Sequence, residues 1–203
     1  MKNDQTSRND KQLQTRFHLI EAGFNLISEQ GYGAVSIRDI AKYAGFTQGA
    51  FYSNFSNKED FLLTLMRIQF EKENAQLQKL LTDISMNTLS LEEKLELWLT
   101  DFFQNESWLK ISIELQLYAI RDKKFAIEYK YIWQVHKEQI TQILFNLFSS
   151  YKEITPEQAE SKSLELISLS YGLALEYMLL KEDLKKYIQI IINNLVREIN
   201  ILT

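Results

Sequence analysis

Ser36-Ile37-Arg38-Asp39-Ile40-Ala41-Lys42-Tyr43-Ala44-Gly45-Phe46-Thr47-Gln48-Gly49-Ala50-Phe51-Tyr52-Ser53-Asn54-Phe55 reads as two short helices joined by a tight turn. Ser36 is placed as a helix N-cap with Asp39 three residues on, and Val35 and Ile40 suit the accompanying hydrophobic staple. That helix is expected to end near Tyr43, and the next to run from Thr47 to about Asn54. The small Ala41 allows close crossing, and Gly45 permits the left-handed backbone that a tight inter-helix turn often needs. Ile40, Ala44, Phe46, Phe51 and Phe55 supply a little core, which leaves Gln48, Gly49, Tyr52, Ser53 and Asn54 mostly outward. An exposed helix face of amide, phenol and hydroxyl groups suits a DNA major groove, where Gln and Asn pair with base edges. Spacing alone fits a structural αα-corner with a solvated polar face equally well.

Upstream, Phe17, Ile20, Phe24 and Ile27 predict a helix over about Lys11 to Gln30, capped by Gly31. Downstream, a helix starts at Ser56 or Asn57, with Glu59 or Asp60 as box partner, and reaches about Leu81. Beyond Ser90, helices are expected at about 91–104, 107–121, 123–150, 156–180 and 184–202. Thr155-Pro156-Glu157-Gln158 is the strongest of these starts. Ile111 to Leu117 is the one stretch whose alternation leaves strand open. Five of the six glycines fall in the first quarter, so short helices there give way to long ones. The expected fold is all-α: an N-terminal three-helix helix-turn-helix domain over 1–60, then a larger helical domain over 61–203, with about nine helices in all.

The chain has 203 residues, 45% of them hydrophobic, enough for a proper core. It has no cysteine, which excludes disulfides and thiolate metal sites and suggests an intracellular address. Met1 to Gln14 lacks the apolar core of a signal peptide, and no apolar run approaches a membrane span. A cytoplasmic protein without a membrane partner is therefore expected. The net charge of −4 argues against a chain that coats nucleic acid nonspecifically. Residues 1–60 balance seven basic against seven acidic side chains, so placed donors rather than a broad field must do the positioning.

The wording of Ser36 to Asn54, continued by Phe55-Ser56-Asn57-Lys58-Glu59-Asp60-Phe61 and preceded by Arg16, Ala22 and Gly31-Tyr32, resembles the DNA-binding region of the tetracycline-repressor (TetR) family over about residues 10–62. The resemblance implies a dimeric repressor of double-stranded operator DNA, released by a small molecule. It implies that Arg38 contacts a base or phosphate and that Thr47 caps the recognition helix and meets phosphate. It puts Gln48, Gly49 and Ala50 nearest the bases, gives Tyr52 and Lys58 phosphates, and brings Ser36, Ser53 and Asn54 into the DNA-facing set. Position 54 is often histidine in that family; Asn54 and the small Ser53 depart from the larger side chains found there.

The C-terminal part shows no nucleotide loop, metal-spaced set or nucleophile motif, so no enzyme and no cofactor is expected. Leu164, Ile167, Tyr171 and Leu175, then Ile188, Ile191, Leu195 and Ile199, make one side of the last two helices apolar, and Ser168 and Gly172, four apart, would let two helices approach closely. The resemblance makes these the homodimer interface; burial against their own chain is the alternative. The middle is aromatic, and the resemblance implies a ligand cavity there. Trp98, Phe102, Trp108, Tyr118, Tyr129, Trp133, His136 and Tyr171 are its candidates, with Glu114 and Glu176 as acids on apolar stretches, although aromatics at helical spacing equally suit a filled core. Such acids suit a cationic ligand or, for Glu114, a salt bridge with Lys110. The rival functions are a helical protein-interaction module and a constitutive DNA-binding dimer without ligand.

Overall fold

The computed structural model of the chain describes residues 2–82, 89–150 and 153–197. Among the described residues there are nine helices and no strand: α1 (Lys2–Gln30), α2 (Ile37–Tyr43), α3 (Gln48–Tyr52), α4 (Lys58–Thr82), α5 (Leu91–Gln104), α6 (Glu106–Arg121), α7 (Lys123–Ser149), α8 (Pro156–Leu180) and α9 (Leu184–Val196). Contacts divide the chain into two compact units, Met1–Ile68 with Lys110–Tyr129, and Gln69–Leu109 with Lys130–Thr203. Three helices, α4, α6 and α7, contribute residues to both.

In the first unit α1 starts well before Lys11, because Lys2 to Asp10 holds no glycine or proline to stop a helix even though it lacks an apolar period. Its buried stripe is Leu19, Ile20, Ala22, Leu26 and Ile27. Phe17, expected on that stripe, is exposed, and Phe24 is half-buried; Ile20 and Ile27 face inward on a neighbouring phase of the helix. Gly31, at φ +84°, ends the helix and donates its N–H to the Ile27 carbonyl at 2.9 Å. Gly23 breaks nothing. A Cβ there would lie 2.2 Å from the Phe61 ring, so glycine lets α4 press its aromatic onto α1.

The second helix has its full capping box, with Ser36 accepting from Asp39 and Asp39 answering to the Ser36 N–H at 2.9 Å. The turn uses Gly45 at φ +76° and closes with Phe46 N–H donating to the Ala41 carbonyl at 2.8 Å. α4 begins with Asn57 Oδ1 accepting from Asp60 N–H at 2.7 Å, while the Asp60 carboxylate takes the Ser56 N–H at 2.8 Å.

The stretch that left strand open is helical in α6: Ile111 and Leu115 are buried four apart, and Leu117 is exposed. In the second unit α9 packs on α5 and α8. Tyr187, Ile188, Ile191, Ile192, Leu195 and Val196 are all buried there. Ile188, Ile191 and Leu195, expected on a dimer surface, therefore belong to the interior of their own chain: α9 is amphipathic, and α5 and α8 cover its apolar side. Ile199 lies outside the described residues. On α8, Leu164, Ser168, Gly172 and Leu175 do share an exposed face. That helix is long and apolar enough by length and composition to cross a membrane, contrary to the expectation that no apolar run approaches a span.

Candidate nucleic-acid interface and buried polar cluster

Local chemistry builds the helix-turn-helix. Thr47 Oγ1 accepts from Ala50 N–H at 3.3 Å and starts α3 with its axis set. Phe51 and Phe55 pack on Phe61 with centroids 5.5 and 5.0 Å apart, which anchors the inner face of α3. Arg16, on α1, donates to the Asn54 carbonyl at 2.6 Å and to Thr64 Oγ1 at 3.3 Å, and its guanidinium lies 4.3 Å from the Phe55 ring centre. This clamp fixes the C-terminal end of α3. Arg38, Gln48, Gly49 and Tyr52 are exposed, with Tyr52 at 56%, and Ala50 is half-buried.

Four members of the expected DNA-facing set have their donors engaged elsewhere; the Ser36 hydroxyl donates to the Asp39 carboxylate. Asn54 is half-buried, and its amide donates to the Ala50 carbonyl at 2.8 Å, because the side chain folds back over its own helix. Ser53 is exposed, but its hydroxyl donates to the Gly49 carbonyl at 2.8 Å. Lys58 is half-buried; its ammonium donates to the Tyr32 carbonyl and lies 4.1 Å from that ring's centre. Burial lowers its pKa, opposed by Glu59, Asp39 and Glu114.

The ten expected ligand residues are not one group. Glu114, Tyr118 and Tyr129 lie in the unit that carries the helix-turn-helix. Glu114, read as facing a cavity or pairing with Lys110, accepts the Tyr32 N–H and sits 3.1 Å from where a Gly31 side chain would start. It braces the loop after α1 by accepting a backbone N–H there. Tyr118 packs on Tyr32 with centroids 4.8 Å apart and donates to Glu59 at 3.3 Å. Tyr129 is buried beside Phe125. Glu176, on α8 in the second unit, is exposed, so no greasy surface encloses it within the chain.

The other six are brought close. Trp98 stacks on Phe102, Phe102 meets Tyr171 edge-on, and Trp133 packs on Tyr171. Phe70 meets both Trp108 and Trp133 edge-on and stacks on His136 with centroids 3.9 Å apart. Inside this group stands Glu73, 8% exposed, its Oε2 3.9 Å from His136 Nε2. Burial raises the Glu73 pKa to about 8, only partly offset by the Trp108 indole and Lys72, and lowers that of His136 to about 4. Sequence reading missed Glu73, although a signal was there. Phe70, Glu73 and Leu77 recur at helical spacing and are buried together, an acid inside an apolar stripe. A groove of about 540 Å³ lies elsewhere, between α7 and the start of α8, lined by Gln134, Lys137, Thr141, Phe145 and Glu157 among others.

Residues 19–65 match the family of bacterial regulatory proteins, tetR family. An uncharacterised HTH-type transcriptional regulator of Bacillus subtilis, YwcC, is 29% identical over 126 residues, 59% of this chain and 56% of its own length. The chain thus spans little more than half of that relative. Among solved structures, a TetR-family regulator from Mesorhizobium loti superposes with a TM-score of 0.71 at 15% identity, over 92% of this chain and 96% of the other. The regulator FadR of Bacillus subtilis, solved with stearoyl-CoA, superposes with a TM-score of 0.69 at 19% identity, over 89% of this chain and 97% of its own. At such identities these likenesses establish the fold.

Proposed function

Starting from a chain whose residues 19–65 match the tetR family of bacterial regulatory proteins, we propose a cytoplasmic transcriptional repressor of that family that binds a palindromic DNA operator as a homodimer and is released by a small molecule. The observation that carries the reading is the capped, clamped α2–turn–α3 unit, with Arg38, Gln48 and Tyr52 exposed on it. The side-chain hydrogen bonds described for α3 run to its own backbone or come from α1, its inner rings pack on Phe61 of α4 and it rests on α2, while Gln48 and Tyr52 stay exposed for DNA. Arg38 and Gln48 read bases; Thr47, whose hydroxyl proton is left for a phosphate, and Tyr52 position the protein, Ser36 serves chiefly as the α2 cap, and Gly49 and Ala50 admit the backbone close to the groove. Ser53, Asn54 and Lys58 contribute less, since their polar groups are already engaged.

Two copies are needed to read two half-sites about 34–36 Å apart. The exposed stripe Leu164, Ser168, Gly172 and Leu175 on α8 is the surface proposed for the second copy, and Leu164 at 58% and Leu175 at 44% exposure give it an apolar character unusual for an unpaired face.

The proposed effector enters among the aromatics of the second unit. Helices α4, α6 and α7 carry the coupling, because each holds residues there (Phe70 and Glu73, Trp108, Trp133 and His136) and in the reading unit (Glu59, Glu114 and Tyr118, Phe125). Typical coupling of about 1–3 kcal/mol weakens operator binding about 5–150-fold. The test is selection of operators from random DNA, followed by affinity measured against salt. A selected palindrome with a steep salt slope is expected; binding that ignores sequence overturns the reading.

A further inference from the structure

Deepening the effector reading, on which it rests, the structure offers a chemical class for the ligand. On α4, Gln69 and Glu73 are one helical turn apart with Phe70 beside them; α6 adds Trp108, and α7 adds Trp133 and His136. Glu73 and His136 are 8% and 3% exposed. Gln69 Oε1, Glu73 Oε1 and His136 Nδ1 are buried with no hydrogen-bond partner among the described residues. The Trp108 indole N–H also lacks a bond of acceptable geometry, although it lies near enough to the carboxyl to act on it. A packed interior rarely leaves polar atoms unanswered in one place, since each keeps the cost of lost hydration. Around them stand the faces and edges of Phe70, Trp108 and Trp133. Aromatic faces attract cations, and a buried carboxyl repels anions once ionised.

We propose that this cluster is the anchor of the effector and takes a lipophilic monocation, an amine or quaternary ammonium carried on an apolar or aromatic body. Its polar atoms meet the charge, and the rings enclose the rest.

The protonation states give the binding step a signature. At pH 7 the Glu73 carboxyl is held protonated and His136 neutral. A cation seated beside Glu73 favours the ionised form: the carboxyl O–H breaks, the proton leaves to buffer, and a carboxylate–cation pair forms. The titratable groups acting on Glu73 are His136 from α7 and Lys72 on α4 itself; α6 contributes the uncharged indole. Below the Glu73 pKa, each pH unit gained strengthens binding about tenfold.

The experiment is calorimetric titration of the full chain, without DNA, in buffers of differing ionisation enthalpy. The probes are benzyltrimethylammonium, the larger tetraphenylphosphonium, neopentylbenzene as a neutral isostere of the first, and stearoyl-CoA as an anionic amphiphile. Saturable binding of a cation is expected, with release approaching one proton at pH 7 and affinity rising about tenfold from pH 6 to pH 7. Glu73→Gln, a near-isostere of the protonated acid, should keep the fold by near-ultraviolet circular dichroism, lose the proton release and bind the cation at least about tenfold more weakly. Binding of neither cation, equal binding of neopentylbenzene, preference for stearoyl-CoA or indifference to Glu73→Gln overturns the proposal. The wild-type proton count stands without any variant. Because DNA is absent, a protein that binds cations this way but selects no operator sinks the repressor reading and keeps the anchor; one that selects an operator but fails here does the reverse.

Discussion

The reading end and the buried cluster treat polar groups in opposite ways. Around α2 and α3, hydroxyls and carboxylates are answered within a few residues: the Ser36 hydroxyl by Asp39, the Thr47 hydroxyl by the Ala50 N–H, and the Asp60 carboxylate by the Ser56 N–H. The Asn54 Oδ1 is the exception. Among Phe70, Glu73, Trp108 and His136, several polar atoms are buried and unanswered. A surface that reads DNA gains from a backbone already fixed, with its spare donors left in water until a partner arrives. A buried cluster that bears such a cost is a place where a partner of complementary chemistry gains most.

The sharpest way to break this contrast is pH. The folded-state pKa of Glu73 is raised from 4.5 to about 8, so the fold favours the protonated acid. That contribution is complete below pH 4.5 and is lost as pH rises through 8. Glu73→Gln should therefore gain on wild type between pH 5 and pH 9, by on the order of 4 kcal/mol, read from denaturant unfolding at both values. His136 runs the other way: its pKa is lowered from 6.5 to about 4, and its contribution is present above 6.5 and lost as pH falls through 4. A Glu73→Gln variant whose stability tracks wild type across that range would show the carboxyl to be solvated, and the contrast would fall.

Removing the Glu114 carboxylate tests whether the loop after α1 is braced as described. Glu114→Ala leaves the Tyr32 N–H without its charged acceptor and should destabilise the chain by roughly 2 kcal/mol. Glu114→Gln should recover part of that loss in the same thermal measurement. No change in either variant would reduce the brace to a surface contact.

At the reading end, Arg38→Ala and Gln48→Ala should each cost about 1–3 kcal/mol of discrimination at one operator position, seen as relaxed preference in binding selections. Tyr52→Phe should instead weaken binding evenly across sequences. An even loss from Gln48→Ala would move it from readout to positioning. The smallest effect is local: Ser36→Ala should cost about 1 kcal/mol of stability by removing the α2 cap, a shift of a few degrees in Tm.

How much was legible follows from the range of each interaction. The starts of α2, α3 and α8 were readable because Ser36–Asp39, Thr47–Ala50 and Thr155–Gln158 lie within one turn of chain. The helical nature of nearly every segment followed from spacing and sparse breakers; the apolar α8 period did not say which members are covered, and Ile167 is buried while Leu164 and Leu175 are exposed. The direction of the α9 stripe was not readable, since the same apolar period suits a partner's surface or its own α5 and α8, and only packing chose the latter. Glu114 and Glu176 looked like acids facing a cavity because an acid on an apolar helix has the same pattern wherever its side chain ends.

What the sequence determined by itself is the capping of the helix-turn-helix, the all-helical class and the aromatic content of the middle helices, because caps and helical periods act between near neighbours in the chain and composition needs no contact at all. What tertiary structure alone decided is which acid is buried. Glu73 lies 63 residues from His136 in sequence, and no local rule foretells that α4 and α7 will set them 3.9 Å apart in a dry interior. Burial is a property of the whole packed unit, and it is burial that turns an ordinary carboxylate into one held neutral near pH 7.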